Sequence, residues 1–242
     1  METLRFDAVV IGGGEAGLAA AVKAAELGAR VGLIESSSQL GGACVATGTL
    51  PSKTFSISVG MFETVKKAKS FGVRIDGPVS LDFQEVVASR NRLMKCDIGV
   101  IQSHLRSRKV TLVSGRAAFA APDRIRVARA DGTETVIESP RTIVAAGSHP
   151  IHLPVLPVDG AAVITTDEIV ALTSCPPRIV IIGAGIIGCE YAFIFRTFGA
   201  DVTLIEKTGR ALPGQDKDVI AAVEKELKRR GVALRFGTSV AA

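Results

Sequence analysis

Two stretches of the chain repeat the same order of apolar run, glycine turn, helical segment and second apolar run. Phe6-Asp-Ala-Val-Val-Ile leads into Gly12-Gly-Gly14-Glu-Ala-Gly17, and Ile179-Val-Ile-Ile leads into Gly183-Ala-Gly185-Ile-Ile-Gly188. Each run is short and rich in β-branched residues, which predicts a buried strand. Helices are expected over residues 15–27 and 186–198. Second strands are expected to close on an acid, over 31–35 and 202–206. Matched positions lie 171 residues apart: Gly12 with Gly183, Gly17 with Gly188, Gly28 with Gly199, and Glu35 with Glu206. One G-x-G-x-x-G is weak evidence, but two in register with their strands and acids are strong.

The glycines have separate tasks. The first permits the tight turn, the second lets the backbone approach a pyrophosphate, and the third lets helix and strand pack closely. The pyrophosphate then rests on the positive end of the helix. Glu35 and Glu206 each follow the third glycine by 18 residues and can bind an adenosine ribose through its hydroxyls. The expected fold class is therefore α/β, with two tandem Rossmann-type dinucleotide-binding folds.

Between the repeats, helical stretches are expected over 52–70 and 82–107. Short strands follow over 110–113, 124–128 and 135–137, the last two joined by an Asp131-Gly132 turn. Another is expected over 143–146. Pro150, Pro154 and Pro157 stiffen a crossing segment, and Thr165-Thr-Asp-Glu168 forms a capping-box pattern before a short helix. A third strand of the second fold is expected over 232–236.

Composition narrows the class. Hydrophobic residues make up 47% of the 242 positions, with 25 glycines, which excludes a disordered or fibrous chain. The longest apolar stretch, 179–189, is interrupted by Gly183 and Gly185 and is too short to cross a bilayer, so no membrane partner is expected. The N-terminus lacks the basic region of a signal peptide, and a cytoplasmic location is expected. Net charge is +5, with basic residues gathered at 66–69, 106–109 and 225–230. Aromatic residues are only 5% and do not interleave these runs, so solvated helix faces and ends are expected rather than nucleic-acid binding. Cys44, Cys96, Cys175 and Cys189 are too scattered for a zinc site or a disulfide framework, and no metal is expected.

The segment Gly41-Gly42-Ala-Cys44-Val-Ala-Thr-Gly48-Thr49-Leu-Pro51-Ser-Lys53 resembles the flavoprotein pyridine nucleotide–disulfide oxidoreductase family, whose pattern here is GG-x-C-x-x-x-x-C-x-P-S-K. Val144-Ala-Ala-Gly147-Ser-His-Pro150 resembles the family's second flavin-contact strand, with Ala146 in place of the usual threonine. The resemblance implies an FAD-binding domain over 1–150, a linker over 151–177, and the first part of an NAD(P)-binding domain over 178–242. It implies FAD, NAD and NADP as cofactors, nicotinamide nucleotides as substrates, and a homodimer for the full-length protein. Cofactor contacts carry over to Gly12, Gly14, Gly17, Glu35, Gly41, Gly42, Cys44, Thr49, Lys53, Gly115, Ala117, Ala146 and Gly147. In the second fold they carry over to Gly183, Gly185, Ile186, Ile187, Gly188, Glu206 and Val240.

One departure bears on the reaction. Thr49 stands where the family has its second redox cysteine, and a dithiol–disulfide cycle needs two sulfurs in bonding reach. Disulfide reduction through this motif is therefore not expected. A Cys followed five residues later by Thr is similar to the family's soluble pyridine nucleotide transhydrogenases. That likeness implies FAD-dependent hydride transfer between NADPH and NAD. A related reductase with another acceptor, or a cofactor-binding fragment without turnover, are the alternatives. Reduced flavin tends towards an anion, so a fixed cation at its edge stabilises it. By resemblance Lys53 is that cation and Glu190 its paired acid, while Cys44 packs beside the flavin loop. Because the second fold stops soon after its third strand, the 242-residue chain is expected to be incomplete and to hold FAD weakly.

Overall fold

The computed structural model describes residues 2–241, which divide into two compact units. One comprises the residues up to Pro51 together with Asn91–Pro150; the other comprises Ser52–Arg90 and the residues from Ile151 onward.

The first unit is built on a parallel sheet in the order β4-β3-β2-β8, from β2 (Ala8–Ile11), β3 (Val31–Glu35), β4 (Thr111–Ser114) and β8 (Thr142–Val144). Helix α1 (Glu15–Glu26) makes the crossover from β2 to β3. It buries Gly17, Leu18 and Ala21 against Val10, Val31 and Leu33. A second sheet, in the order β1-β7-β6-β5, combines β1 (Glu2–Arg5), β5 (Arg116–Ala121), β6 (Arg124–Ala128) and β7 (Glu134–Glu138). Here β1 runs parallel to β7, and β6 runs antiparallel to both its neighbours. Asp131 shapes the β6–β7 turn by accepting from the Thr133 N–H at 2.9 Å and its hydroxyl at 2.6 Å. Strand β8 ends at Val144, two residues before the expected end, because Ala145–Gly147 turn away after one last bond from the Ala145 N–H to the Ile11 carbonyl.

The second unit carries a parallel sheet in the order β11-β10-β9, from β9 (Arg178–Ile182), β10 (Asp201–Glu206) and β11 (Ala233–Phe236). Helix α6 (Ile186–Thr197) crosses from β9 to β10, and α7 (Lys217–Arg229) crosses from β10 to β11. The Thr165 capping box forms as expected and opens the one-turn helix α5 (Thr166–Ile169). The helical stretches expected over 52–70 and 82–107 form two long helices, and a short helix not expected from the sequence precedes them. In chain order these are α2 (Gly42–Ala46), α3 (Thr49–Lys66) and α4 (Phe83–Ser107), with a 3-10 turn at Ala68–Phe71. Asp82 starts α4 by accepting from the Gln84 N–H at 2.8 Å.

Residues 52–90 group with the second fold, although they lie within the first 150 residues. Phe55 and Val59 of α3 and Phe83 and Val86 of α4 join Tyr191, Ile194 and Phe195 of α6 in one buried cluster. The rings of Phe55, Phe83 and Phe198 meet at centroid distances of 5.3, 6.0 and 5.0 Å. Burying each such ring contributes about 1.5–3 kcal/mol, enough to decide which unit these helices join. Among the described residues no helix is long and apolar enough to cross a membrane.

Candidate dinucleotide sites and the Lys53–Glu190 pair

In the first unit the expected cofactor residues gather at the carboxyl ends of the parallel strands, where open α/β sheets bind ligands. Gly12 follows β2, Glu35 ends β3, Gly115 follows β4, and Ala146 and Gly147 follow β8. Gly12 has φ +106°, and a Cβ there would run into the Ala145 carbonyl; a Cβ at Gly17 would strike the Gly12 carbonyl. These contacts require bare backbone and leave a closely approachable cradle ahead of the α1 N-terminus. Gly41 and Gly42 close its other side. The Gly41 N–H bonds to the Gly13 carbonyl at 2.8 Å, and a Cβ on Gly42 would lie 2.8 Å from the Gly14 Cα. The cradle suits a dinucleotide pyrophosphate.

Glu35 binds back to this loop. Its Oε2 accepts from the Gly13 N–H at 2.6 Å and its Oε1 from the Ser37 N–H at 2.7 Å. Cys44 is half-buried in α2, and Thr49 opens α3. Ala117 lies within β5, opposite Val127 of β6, with its methyl packed against the Phe6, Val9 and Ile34 cluster.

The second loop copies the first. Gly183 has φ +100°, Gly185 caps α6, and a Cβ on Gly188 would strike the Gly183 carbonyl. Glu206 accepts from the Ala184 N–H and from the Thr208 N–H, each at 2.9 Å. The buried Glu206 carboxyl is held below the usual range, first by its bond from Thr208. The copies differ in crowding: nothing approaches a Cβ at Gly183, whereas Ala145 crowds Gly12. Ile186 and Ile187 are exposed at the start of α6, and Val240 is half-buried in the segment after β11.

Within the second unit, Lys53 and Glu190 meet as the resemblance implies. Lys53 Nζ donates to Glu190 Oε1 at 2.5 Å, joining α3 to the first turns of α6. The hydroxyl of Ser56 donates to the same oxygen at 3.0 Å, a contact the motif does not encode. Behind Glu190, Tyr191 is buried and its hydroxyl is pushed up to about 12 by that burial, with Glu190 adding to the effect and Arg90 opposing it. The guanidinium of Arg90 is buried beside the Phe55 ring and donates to the Val170 carbonyl at 2.7 Å. Burial also raises the Cys189 thiol, to about 11, so it is a packing group and not a ready nucleophile. Among the described residues no cluster of histidine, cysteine and carboxylate groups could hold a metal.

Two βαβ units with matching glycine loops and matching acids define a tandem dinucleotide-binding α/β protein. More narrowly, the chain belongs to the pyridine nucleotide-disulphide oxidoreductase family, whose profile matches residues 6–242. It is 34% identical to a dihydrolipoyl dehydrogenase of Bacillus subtilis, over 92% of this chain and 48% of that protein. A dihydrolipoyl dehydrogenase of Trypanosoma brucei brucei is also 34% identical, over 93% of this chain and 47% of its own length. The structure of LpdA from Mycobacterium tuberculosis superimposes with a TM-score of 0.88 at 29% identity, over 99% of this chain and 52% of that one. A Cu(II) complex of the HOCl-induced flavoprotein disulfide reductase RclA from Escherichia coli gives a TM-score of 0.83 at 25% identity, over 98% of this chain and 50% of that one. The chain thus spans about half the length of these relatives.

Proposed function

We propose that the protein is a flavoprotein oxidoreductase that passes hydride between NADPH and NAD without a redox disulfide. In this reading FAD is held by the first fold and a nicotinamide nucleotide by the second. The observation that carries it is Thr49, which brings a hydroxyl to the position where a dithiol cycle needs its second sulfur. Bound FAD would supply the two-electron chemistry, accepting hydride from one nicotinamide and returning it to another. The chain's own residues then bind and orient. The Gly12–Gly17 loop and α1 receive a pyrophosphate, and Glu35 closes the ribose side. Lys53, held by Glu190, offers a fixed positive charge to the negative charge that develops at the flavin edge.

A second reading has the same chemistry with a different acceptor, such as a quinone or a dye. It is favoured by Glu206, because a buried carboxylate at the end of β10 accepts a ribose hydroxyl but repels the 2′-phosphate of NADP. Lys207 and Arg210, both exposed beside Glu206, offset that repulsion in the transhydrogenase reading. Steady-state assays of the FAD-loaded protein with NADPH and an NAD analogue, with and without external acceptors, separate the two. NADP binding too weak to saturate at physiological levels would remove the transhydrogenase reading.

A further inference from the structure

Ser56 lies three residues after Lys53 on α3, and helical spacing places the two on one face. Both donate to a single oxygen, Glu190 Oε1, at 2.5 Å from Lys53 and 3.0 Å from Ser56. The two donors differ in stiffness. Lys53 carries its ammonium on a flexible four-carbon stem, 57% exposed, whereas the Ser56 hydroxyl sits directly on Cβ and is half-buried. Phe55, between them in the chain, is sunk in the aromatic cluster with Phe83 and Phe198, which anchors this turn of α3.

An exposed lysine–carboxylate pair on its own leaves both side chains free to change rotamer, because water screens the attraction. A short, anchored donor on the same carboxylate removes that freedom from one partner. We propose that Ser56 is a positioning residue: it fixes the Glu190 carboxylate, which in turn holds the Lys53 ammonium in one place. This rests on the reading of Lys53 as the cation beside the flavin and adds to it the group that sets its position. Ser56 touches neither nucleotide in this scheme and acts only through Glu190.

The test is the rate at which N-hydroxysuccinimide acetate acetylates Lys53, followed by peptide mass spectrometry on the full chain with and without FAD. It compares the unaltered protein with Ser56→Ala, Ser56→Thr and Glu190→Gln, and is paired with the flavin midpoint potential. Glu190→Gln is expected to speed acetylation most. Because Ser56 acts on Lys53 only through Glu190, Ser56→Ala should be faster by roughly two- to fivefold, a fraction of what a full hydrogen bond to a charged group carries, and Ser56→Thr should restore the slow rate. The FAD-loaded Ser56→Ala protein should show a more negative flavin potential with an unchanged thermal midpoint. Ser56→Cys, close in volume with only a weak donor, gives the same comparison where Ser56→Ala folds poorly. A Ser56→Ala rate equal to the unaltered one, beside a fast Glu190→Gln, overturns the proposal. The expected acetylation pattern, together with a potential indifferent to Lys53→Met, supports the positioning role and overturns the flavin role of Lys53.

Discussion

Glu206 and Ala184 are joined by a hydrogen bond from the Ala184 N–H to a carboxylate oxygen at 2.9 Å, across 22 residues of sequence and with both residues buried. The bond ties the end of β10 to the glycine loop that follows β9, and Glu35 makes the same tie to Gly13 at 2.6 Å. The acid at the end of the second strand therefore braces the loop, a task separate from the ribose contact proposed for it. Removing it should act on stability even with no nucleotide present. Glu206→Ala leaves the buried Ala184 N–H without an acceptor and is expected to cost about 1–3 kcal/mol. Urea unfolding checks this, and an unchanged midpoint would show that water replaces the carboxylate at no cost.

The two kinds of glycine in the second fold should respond differently to alanine. A Cβ on Gly188 meets the Gly183 carbonyl, which is backbone and cannot swing aside, whereas Gly199 has φ +101° but open space around it. Gly188→Ala is expected to lose about 3 kcal/mol by overpacking, and Gly199→Ala about 1–2 kcal/mol by left-handed strain alone. Nucleotide affinity should fall only for Gly188→Ala, measurable by calorimetric titration with NADH.

Acid unfolding should report on the C-terminal end of α7. The Glu226 carboxyl is pulled down from 4.5 to about 2, first by its hydrogen bonds from Arg229 and then by those from Arg230. A depressed carboxylate contributes stability that is complete above its unfolded value and fades as pH falls towards the folded one. For Glu226 that window runs from 4.5 down to about 2. Glu226→Gln is therefore expected to flatten the stability profile within this window. A profile matching the unaltered protein would mean the charge network carries no net stability.

Cysteine chemistry supplies a fourth expectation. Cys44 is a free, half-buried thiol, and Thr49 brings no sulfur to pair with it. Cys44→Ser should keep most of the nicotinamide-to-flavin hydride transfer in stopped-flow measurements. Near-complete loss with FAD still bound would assign the thiol a role in the transfer.

The repeated fold was legible because its demands are local. A strand, three glycines and an acid must fall at fixed spacings for the loop to form, so Gly12–Glu35 and Gly183–Glu206 announce themselves. Helix α7 carries local signals as well. Asp216 caps it, and Ile220, Val223 and Leu227 mark an apolar face at helical spacing. Strand β1 had no such signal, since its four residues become a strand only by pairing with β7, more than 130 positions away. Ser56 was invisible for the same reason. Nothing near it in sequence says that a carboxylate 134 residues on will accept its hydrogen bond. The sequence likewise predicts helices over 52–70 and 82–107, but nothing in it says that Phe198 would pack on Phe55 and Phe83.

The trio of Phe55, Phe83 and Phe198 bears on how such a protein could be cut and recombined. The chain passes from one compact unit to the other three times, near residues 51, 90 and 150, so no single cut yields two self-sufficient halves. A segment ending at Pro150 would carry Phe55 and Phe83 without the ring that closes over them, leaving a sticky aromatic face where a smooth boundary was intended. Exchange of nucleotide-binding modules between relatives would succeed only if residues 52–90 travelled with the later fold. The two similar loops are thus not separable at one seam, because residues 52–90, which lie between the two copies in the chain, pack with the second.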